Sequence, residues 1–559
     1  MSEYLKLKKS NCKNCYKCIR HCPVKSIRFS DNQAHIVTDE CILCGRCFVA
    51  CPQNAKEIRN DVAVVRAMID SGAPVYASVA PSFVANYEGA TIETMERALR
   101  ALGFTAAEET AVGATIVKNR YDEMVNRAEQ DVIISTCCHT VNIGVQKHFP
   151  EALPFLAPVL SPMLAHGAEI KKVHPEAKTV FLSPCISKKQ EAELYPGMVD
   201  CVLTFEELTG WMRDEGIEVE ASQDGGGNRG RARAFPVCGG IIHAMKCENP
   251  DYTYLAIDGL DNVAQALRDV IAGNLTKCFI EMSACAGSCI GGPAMDKDRR
   301  APVREYITVR KYAPEADFIV EPHETSELRK SFPYVGIKTL MPGSAAIAEI
   351  LHRMGKLKPE DELNCGSCGY DSCREKAIAV YNGKADLTMC LPFLKEKAET
   401  FSDNIIRNTP NGIIVLNEMF EVQQINRAAC ELFNIENSAD VLGEPVVRIL
   451  DPQPFMEVMQ SGKNIRNKRA YLAEYKRYVD QTIMHDPNYH IFMSIMRDVT
   501  EEETHKVNKE TISRRTIEIT DKVVEKQMRV VQEIASLLGE TTAETKIALT
   551  KLKESLADE

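Results

Sequence analysis

The sequence predicts a multidomain α/β protein, and three observations carry that prediction. Its 559 residues, at roughly 150 per domain, suffice for about three or four cores. Hydrophobic residues at 45% and charged residues at 26% are globular proportions. The 22 cysteines fall into groups: eight from Cys12 to Cys51, nine from Cys137 to Cys289 and four from Cys365 to Cys390, with Cys430 alone. This grouping divides the chain into a metal-rich head (1–58), a large middle (59–352), a metal-rich joint (353–395) and a tail (396–500 and 501–559). A net charge of −11 argues against a nucleic-acid partner. The most apolar stretch, Leu153 to Ala165, is broken by Pro154, Pro158 and Pro162, so no membrane span is expected. The first residues, Met1-Ser2-Glu3-Tyr4-Leu5-Lys6, lack an apolar signal core, and the expected location is the cytoplasm. Disulfides are disfavoured there, which leaves metal ligation as the reason for so many thiols.

In the head, Cys12-x2-Cys15-x2-Cys18-x3-Cys22-Pro23 recurs as Cys41-x2-Cys44-x2-Cys47-x3-Cys51-Pro52. Thiolates are soft ligands suited to iron, and three at this spacing wrap one cubane while the fourth reaches across to another. Cys12, Cys15, Cys18 and Cys51 are therefore expected to hold one 4Fe–4S cluster, and Cys41, Cys44, Cys47 and Cys22 the second. Two zinc sites are the alternative, which the doubled pattern disfavours. The head resembles a bacterial two-cluster ferredoxin, which implies electron transfer.

The middle alternates strand-like and helix-like segments. Pro74 to Val79, Val132 to Ile134, Val180 to Leu182, Cys201 to Leu203 and Cys278 to Ile280 read as buried strands. Glu93 to Leu102, Phe205 to Glu215 and Asn262 to Ala272 read as helices, and the alternation implies mostly parallel sheets. The segment Gln223 to Gly230 has no following Gly-Lys-Ser/Thr and reads as a surface loop rather than a phosphate cradle. Three cysteine segments each follow a strand: Ser135-Thr136-Cys137-Cys138, Ser183-Pro184-Cys185 and Cys285-x3-Cys289. Loops at the carboxyl ends of parallel strands converge on a crevice, where four thiolates could hold a further cubane.

These segments, extended to Ile186-Ser187-Lys188-Lys189-Gln190-Glu191 and to Glu281-Met282-Ser283-Ala284-Cys285-Ala286-Gly287-Ser288-Cys289-Ile290-Gly291-Gly292, resemble the three signature loops of FeFe-hydrogenases. Ser78-Val79-Ala80-Pro81-Ser82, Ser161-Pro162-Met163 and Gly239-Gly240 add to the likeness, which covers residues 1 to about 352. The resemblance implies an H-cluster: a 4Fe–4S cubane joined through a cysteine sulfur to a two-iron unit with CO, cyanide and azadithiolate. It implies that Cys138, Cys185, Cys285 and Cys289 ligate the cubane, with Cys289 bridging. Lys188 would hold one cyanide, Ala80 and Pro81 would line the other, and Cys137 would relay protons. Ser183 and Ser283, beside Pro184 and Cys285, stand where the family's active catalysts usually carry Met, and Tyr121 and Met124 stand where two Glu of its proton path belong. Glu109, Asp122, Glu123 and Glu281 are candidate replacements. The altered pocket implies low turnover.

Cys365, Cys368, Cys373 and Cys390 resemble a small four-cysteine 4Fe–4S module, with zinc as the alternative; with the head, this makes three 4Fe–4S clusters besides the H-cluster. Residues 396–500 resemble a PAS sensory domain through Gly412-Ile413-Ile414-Val415, Ile425-Asn426-Arg427-Ala428-Ala429, Leu442-Gly443-Glu444-Pro445 and Arg497-Asp498-Val499-Thr500. His485 and His490 read as surface histidines rather than haem ligands. After Thr500, the seam Ile512, Thr516, Ile519, Val523, Lys526, Val530, Ile534 and Leu537 favours a coiled coil or helical hairpin joining two chains, hence a homodimer, with one helix packed on its own domain as the alternative.

The resulting expectation is an FeFe-hydrogenase-like oxidoreductase acting on H2 and protons. It would exchange electrons with a ferredoxin-like carrier and signal through the cluster module and PAS domain to a separate kinase or phosphatase. The alternatives are a ferredoxin-linked metabolic hydrogenase and a non-catalytic iron–sulfur scaffold; Cys289, as an anchor for the two-iron unit, argues against the latter.

Overall fold

A computed structural model describes residues 4–8, 11–222, 227–295, 302–337 and 340–555. Two compact units divide the chain, Met1–Leu394 and Lys395–Glu559.

The head has four short strands, β1 (Leu5–Leu7), β2 (Ile27–Ser30), β3 (Gln33–Ile36) and β4 (Lys56–Ile58), paired antiparallel as β1–β4 and β2–β3. Each cysteine run curls into a short helix, Lys17–Arg20 or Arg46–Ala50, through a residue in the left-handed region: Tyr16 (φ 55°) and Gly45 (φ 70°). Such conformations turn the backbone tightly enough to wrap a small group. Gly45 is also a contact point. A Cβ there would lie 2.5 Å from Pro293 Cβ and 2.9 Å from Ile186 Cδ1, so the second cysteine run is pressed onto the loops that carry Cys185 and Cys289.

The middle contributes β5 (Val75–Val79), β6 (Ala106–Glu109), β7 (Val132–Ile134), β8 (Lys178–Ser183), β9 (Cys201–Thr204), β10 (Thr253–Asp258) and β11 (Cys278–Ser283). They form two parallel sheets, ordered β6-β5-β8-β9 and β10-β11-β7. The crevice is therefore not the end of one sheet. Cys137 and Cys138 follow β7, and Cys285 and Cys289 follow β11, while Cys185 comes from β8 in the other sheet. The helix Ala111–Asn126 is buried along most of its length and approaches the helix Pro162–Val173 at Gly113, where a Cβ would come within 2.3 Å of Pro162 O. Of the glycine-rich segment read as a surface loop, residues 223–226 lie outside the described residues; Gly227 to Arg229 are exposed.

The four-cysteine module forms around the helices Ser344–Arg353 and Cys373–Tyr381. It docks on the head. Arg20 Nη2 donates to Ser367 O (3.1 Å), Lys25 Nζ to Gly369 O (3.0 Å), and Phe29 N to Lys384 O (2.8 Å). Lys384 Nζ pairs with Glu40 at 2.6 Å. Gly369, at φ +95°, fits directly over Ile19, whose Cβ would stand 2.9 Å from an added methyl.

The second unit holds a five-stranded antiparallel sheet of β12 (Gly412–Asn417), β13 (Val422–Ile425), β14 (Ile465–Leu472), β15 (Arg477–Asp486) and β16 (Ile491–Asp498), ordered β13-β12-β16-β15-β14. Asn426 caps the helix Arg427–Leu432 by accepting from Ala429 N. His490 is exposed and pairs with Glu418 (2.8 Å), as a surface histidine should. His485 is a correction: it is half-buried, its ring stacks on Phe492 at 4.3 Å, and its Nε2 is sealed from solvent. The tail Thr500–Ser555 is one continuous helix rather than a hairpin, and Ile512, Ile519, Val523, Val530 and Ile534 along its seam are exposed.

Gly369→Ala should loosen the module from the head, because both the positive φ and Ile19 resist a methyl group. The expected cost is about 1–3 kcal/mol, read as a lowered first thermal transition of the full chain. An unchanged transition would show that the docking tolerates displacement.

Candidate active site

The crevice between the two sheets holds a cavity of about 110 Å³. Cys138, Cys185 and Cys289 line it, together with Cys137, Lys188, Ala80, Pro81, Ser183, Pro184 and Ser283. Cys138 stands at the N-terminus of the helix His139–His148, and Cys185 precedes the helix Ser187–Leu194. Cys285 and Cys289 flank a turn through Gly287 (φ 77°), closed by Ser288 N donating to Cys285 O at 3.0 Å. A Cβ on Gly291 would fall 1.9 Å from Ala286 O, so only glycine lets this loop close.

The four thiols face one another. Burial pushes Cys285 well above the usual thiol range, and the sulfurs of Cys185, Cys138 and Cys289 push it further. Burial likewise raises Cys289 and Cys138, with Cys185 adding to both. Thiols so crowded are held as thiolates only by a cation among them. Among the described residues no three His, Cys, Asp or Glu converge as a single ion requires. A cubane sets its four sulfurs farther apart, around a cage, and this donor set fits it.

The remaining cluster cysteines also assemble as sets. Cys12, Cys15, Cys18 and Cys51 line one small cavity, Cys22, Cys41, Cys44 and Cys47 another, and Cys365, Cys368, Cys373 and Cys390 a third. Backbone N–H groups already point at sulfur: Ser26 N to Cys22 (3.3 Å), Leu43 N to Cys41 (3.4 Å) and Ala55 N to Cys51 (3.3 Å). Such donors stabilise sulfur-bound negative charge. Cys44 is among the charge neighbours of Cys285. Tyr370 is buried with Cys368 and Cys22 as charge neighbours.

Lys188 donates to Cys137 O (3.1 Å) and to Glu191, whose other oxygen accepts from Lys330. Glu191 is wholly buried. Burial opposes its charge, but Lys188 and Lys330 outweigh that and hold it well below the carboxylate range. Lys188 in turn is kept charged: burial works against it and Glu191 overcomes the penalty. His139 lies 3.9 Å from Glu191, and burial drives it down to about 3, so its ring is neutral. Sequence reading singled out Lys188 but missed Glu191, Lys330 and His139. Glu191, three residues along the same helix, was the available signal.

Cys137 is pushed up to about 12 by burial, partly offset by its hydrogen bond with Tyr121. Tyr121 Oη sits 3.4 Å from Cys137 Sγ and is anchored by Thr136 N at 2.9 Å. Tyr121 and Met124 are both fully buried. Ser183 Oγ accepts from Cys185 N (3.3 Å). The candidate acids are dispersed. Glu109 is locked to Arg233, Asp122 accepts from Lys246 N (3.0 Å), and Glu123 pairs with Arg120 (3.3 Å) on the exterior. Glu281 accepts from the N–H groups of Gly239, Ile241 and Ile242, and burial still raises it to about 7.

The residues around this site match the family model described as the iron-only hydrogenase large subunit, C-terminal domain, over residues 73–293. A 4Fe-4S dicluster domain matches 4–66, a putative Fe-S cluster family 361–392, and a PAS domain 401–468. Iron hydrogenase 1 of Clostridium pasteurianum is 25% identical over 318 residues, 46% of this chain and 55% of that protein. A component of the ion-translocating oxidoreductase complex of Methanosarcina acetivorans is 42% identical over 48 residues, 9% of this chain and 18% of that protein. The chain thus spans about half the length of the first relative and less of the second. Among solved structures, an apo FeFe-hydrogenase from Chlamydomonas reinhardtii aligns at TM-score 0.39 and 17% identity, covering 50% of this chain and 100% of that one. A PAS domain of an HTR-like protein from Haloarcula marismortui aligns at TM-score 0.16 and 17% identity, covering 19% and 94%. No helix among the described residues is long and apolar enough to cross a membrane.

Glu191→Gln would leave two buried lysines facing each other without a counter-charge. The unit Met1–Leu394 should lose about 3–5 kcal/mol, measured by denaturant unfolding of the full chain; a loss under about 1 kcal/mol would mean the site is wetter than described. Glu281, raised from 4.5 to about 7, favours its protonated form in the folded state. The stability it lends is full below pH 4.5 and fades as pH rises through about 7. Glu281→Gln should flatten that decline by up to about 3 kcal/mol, seen by comparing unfolding midpoints at both ends of the window; parallel pH profiles would contradict it.

Proposed function

We propose that this chain is an FeFe-hydrogenase-like oxidoreductase of low turnover, interconverting H2 with protons and electrons, and that it serves as a hydrogen or redox sensor. The observation that carries the reading is the crowding of Cys138, Cys185, Cys285 and Cys289 beside a cavity with room next to Cys289. These thiolates would hold a cubane, and Cys289 would bridge to a two-iron unit bearing CO, cyanide and azadithiolate. When bound, that group supplies an open iron position and an amine at which hydrogen is split.

The chain's own residues position and protect. Lys188, kept charged by Glu191, presents an ammonium to the cavity for a charge-assisted hydrogen bond with an anionic ligand. Ala80 and Pro81 close the wall with apolar surface and exclude water. Cys137 holds a proton on its sulfur at the cavity edge, steadied by the Tyr121 hydroxyl. Ser183 and Ser283 add hydroxyls where an apolar lining would lower the local polarity, which alters the potential of a nearby cluster and supports low turnover.

Electrons would leave through the head. Contact of Gly45 with Ile186 and Pro293 supports a path from the site to the cluster of Cys22, Cys41, Cys44 and Cys47, and on to a ferredoxin-like carrier. Tyr370, between Cys22 and Cys368, supports a branch to the docked module. From there the redox state would pass to the PAS domain, the terminal helix of a homodimer, and a separate kinase or phosphatase.

Protein matured with the two-iron unit should show infrared bands of CO and cyanide, and Cys137→Ala should slow its hydrogen–deuterium exchange about a hundredfold. Absent bands would defeat the hydrogenase reading. Unchanged exchange would remove Cys137 from the proton relay.

A further inference from the structure

The hydrogen bonds leaving Cys137 through Tyr121 run to Thr136, whose Oγ1 donates to the carbonyls of Ala157 and Val159 at 3.0 Å each. Carbonyls cannot pass a proton on. A different stretch of the cavity wall contains a line of groups that can.

Thr110 lines the cavity. Its Oγ1 lies 2.7 Å from Ser78 Oγ, and Ser78 Oγ lies 2.8 Å from His166 Nδ1. His166 Nε2, which makes no hydrogen bond among the described residues, lies 3.3 Å from Glu108 Oε2, within ion-pair distance. Thr110, Ser78 and His166 are at most 3% exposed, whereas the Glu108 side chain is 42% exposed. The line therefore starts at the cavity and ends in solvent.

Strand pairing and one glycine build this line. Ser78 and Glu108 are register partners across β5 and β6, and Thr110 directly follows β6. The helix Pro162–Val173 brings His166 over both strands, and Gly113 makes that approach possible, since a Cβ there would lie 2.7 Å from His166 Cβ. The charged group facing His166 is Glu108, which also faces His174. The nearby His166 ring holds Glu108 below the usual carboxyl range against the effect of burial. Three buried polar side chains cost stability unless each is satisfied, and the His166 ring spans from a hydrogen bond to Ser78 on the cavity side to within 3.3 Å of the Glu108 carboxylate on the surface side.

We propose that Thr110, Ser78, His166 and Glu108 form a proton wire connecting the hydrogenase cavity to solvent. The inference rests on the hydrogenase reading. A proton reaching the Thr110 hydroxyl displaces that group's own proton to Ser78 Oγ. Ser78 passes its proton to His166 Nδ1, and His166 Nε2 releases its proton to Glu108, from which water takes it. Each group gives one proton as it accepts one, so no electrons move and no charge is left behind. Running backwards, the same steps deliver protons for H2 formation. Histidine suits this place because its ring carries a nitrogen able to accept or release a proton on each side.

The test uses the full chain matured with the two-iron unit and follows the infrared bands of CO and cyanide after a rapid pH drop. Glu108→Gln and His166→Phe should leave the final band positions unchanged and slow the approach to them about tenfold or more. Glu108→Asp should restore most of the rate. The Glu108 variants lie at the surface and keep the test open should His166→Phe fold poorly. In the unmatured chain, ¹⁵N-histidine spectra should show the His166 Nε2 signal moving in Glu108→Gln and the Nδ1 signal moving in Ser78→Ala. Bands that appear and respond at the wild-type rate in Glu108→Gln overturn the wire and leave the hydrogenase reading intact. No bands in any sample overturn both.

Discussion

Four sulfurs brought together at one crevice are the constraint on which the rest of the chain depends. Burial alone drives Cys138, Cys285 and Cys289 toward the neutral thiol, and each makes its neighbours harder to ionise. An arrangement of that kind has little value as a hydrophobic core, because aliphatic side chains would fill the space without polar atoms. It makes sense as a preformed donor set whose ionisation is driven by a metal cluster. The loops that deliver the sulfurs come from two sheets, so both sheets must be in place before the set exists. The glycines at 287 and 291 let one of those loops double back tightly enough to present two of the sulfurs.

The positive charge beside the sulfurs follows from the same constraint. Lys188 reaches the cavity wall only because Glu191 holds it, and Glu191 is tolerable in the interior only because Lys330 shares its charge. Lys330 belongs to a distant stretch of chain, so the polarity of the cavity depends on how the end of the domain packs back on its beginning. The docking of head and module extends that dependence outward. Gly45 meets the loops bearing Cys185 and Cys289, and Gly369 meets the helix that carries Cys18. At both joints a glycine lets a cysteine-bearing loop come to contact distance, and electron transfer favours such short separations.

Much of this was legible in the sequence because iron–sulfur ligation is largely local. The x2-x2-x3 runs specify which cysteines share a cage, and the structure groups Cys12, Cys15 and Cys18 with Cys51, and Cys41, Cys44 and Cys47 with Cys22. What was not legible is set by pairing between distant segments. Nothing in Val180-Phe181-Leu182 says that β8 joins β5 rather than β7, so the two-sheet crevice is invisible in one dimension. Lys330 carries no motif, and neither does His166. His485 was within reach: alternation along β15 places it on the same face as Gln481 and Ile483, both buried. Of the coiled coil or helical hairpin expected after Thr500, the hairpin is not formed, because Gly539 alone, without proline or a polar turn, does not break a helix.

The central claim is that Cys138, Cys185, Cys285 and Cys289 enclose one cubane with further iron beside Cys289. A crystal structure of the matured full chain, phased with data collected on both sides of the iron absorption edge, tests it directly. The account predicts a four-iron anomalous peak bounded by those four sulfurs and a separate two-iron peak inside the adjoining cavity, within bonding reach of Cys289. An iron-free crevice in crystals whose head and module clusters are fully loaded would contradict it.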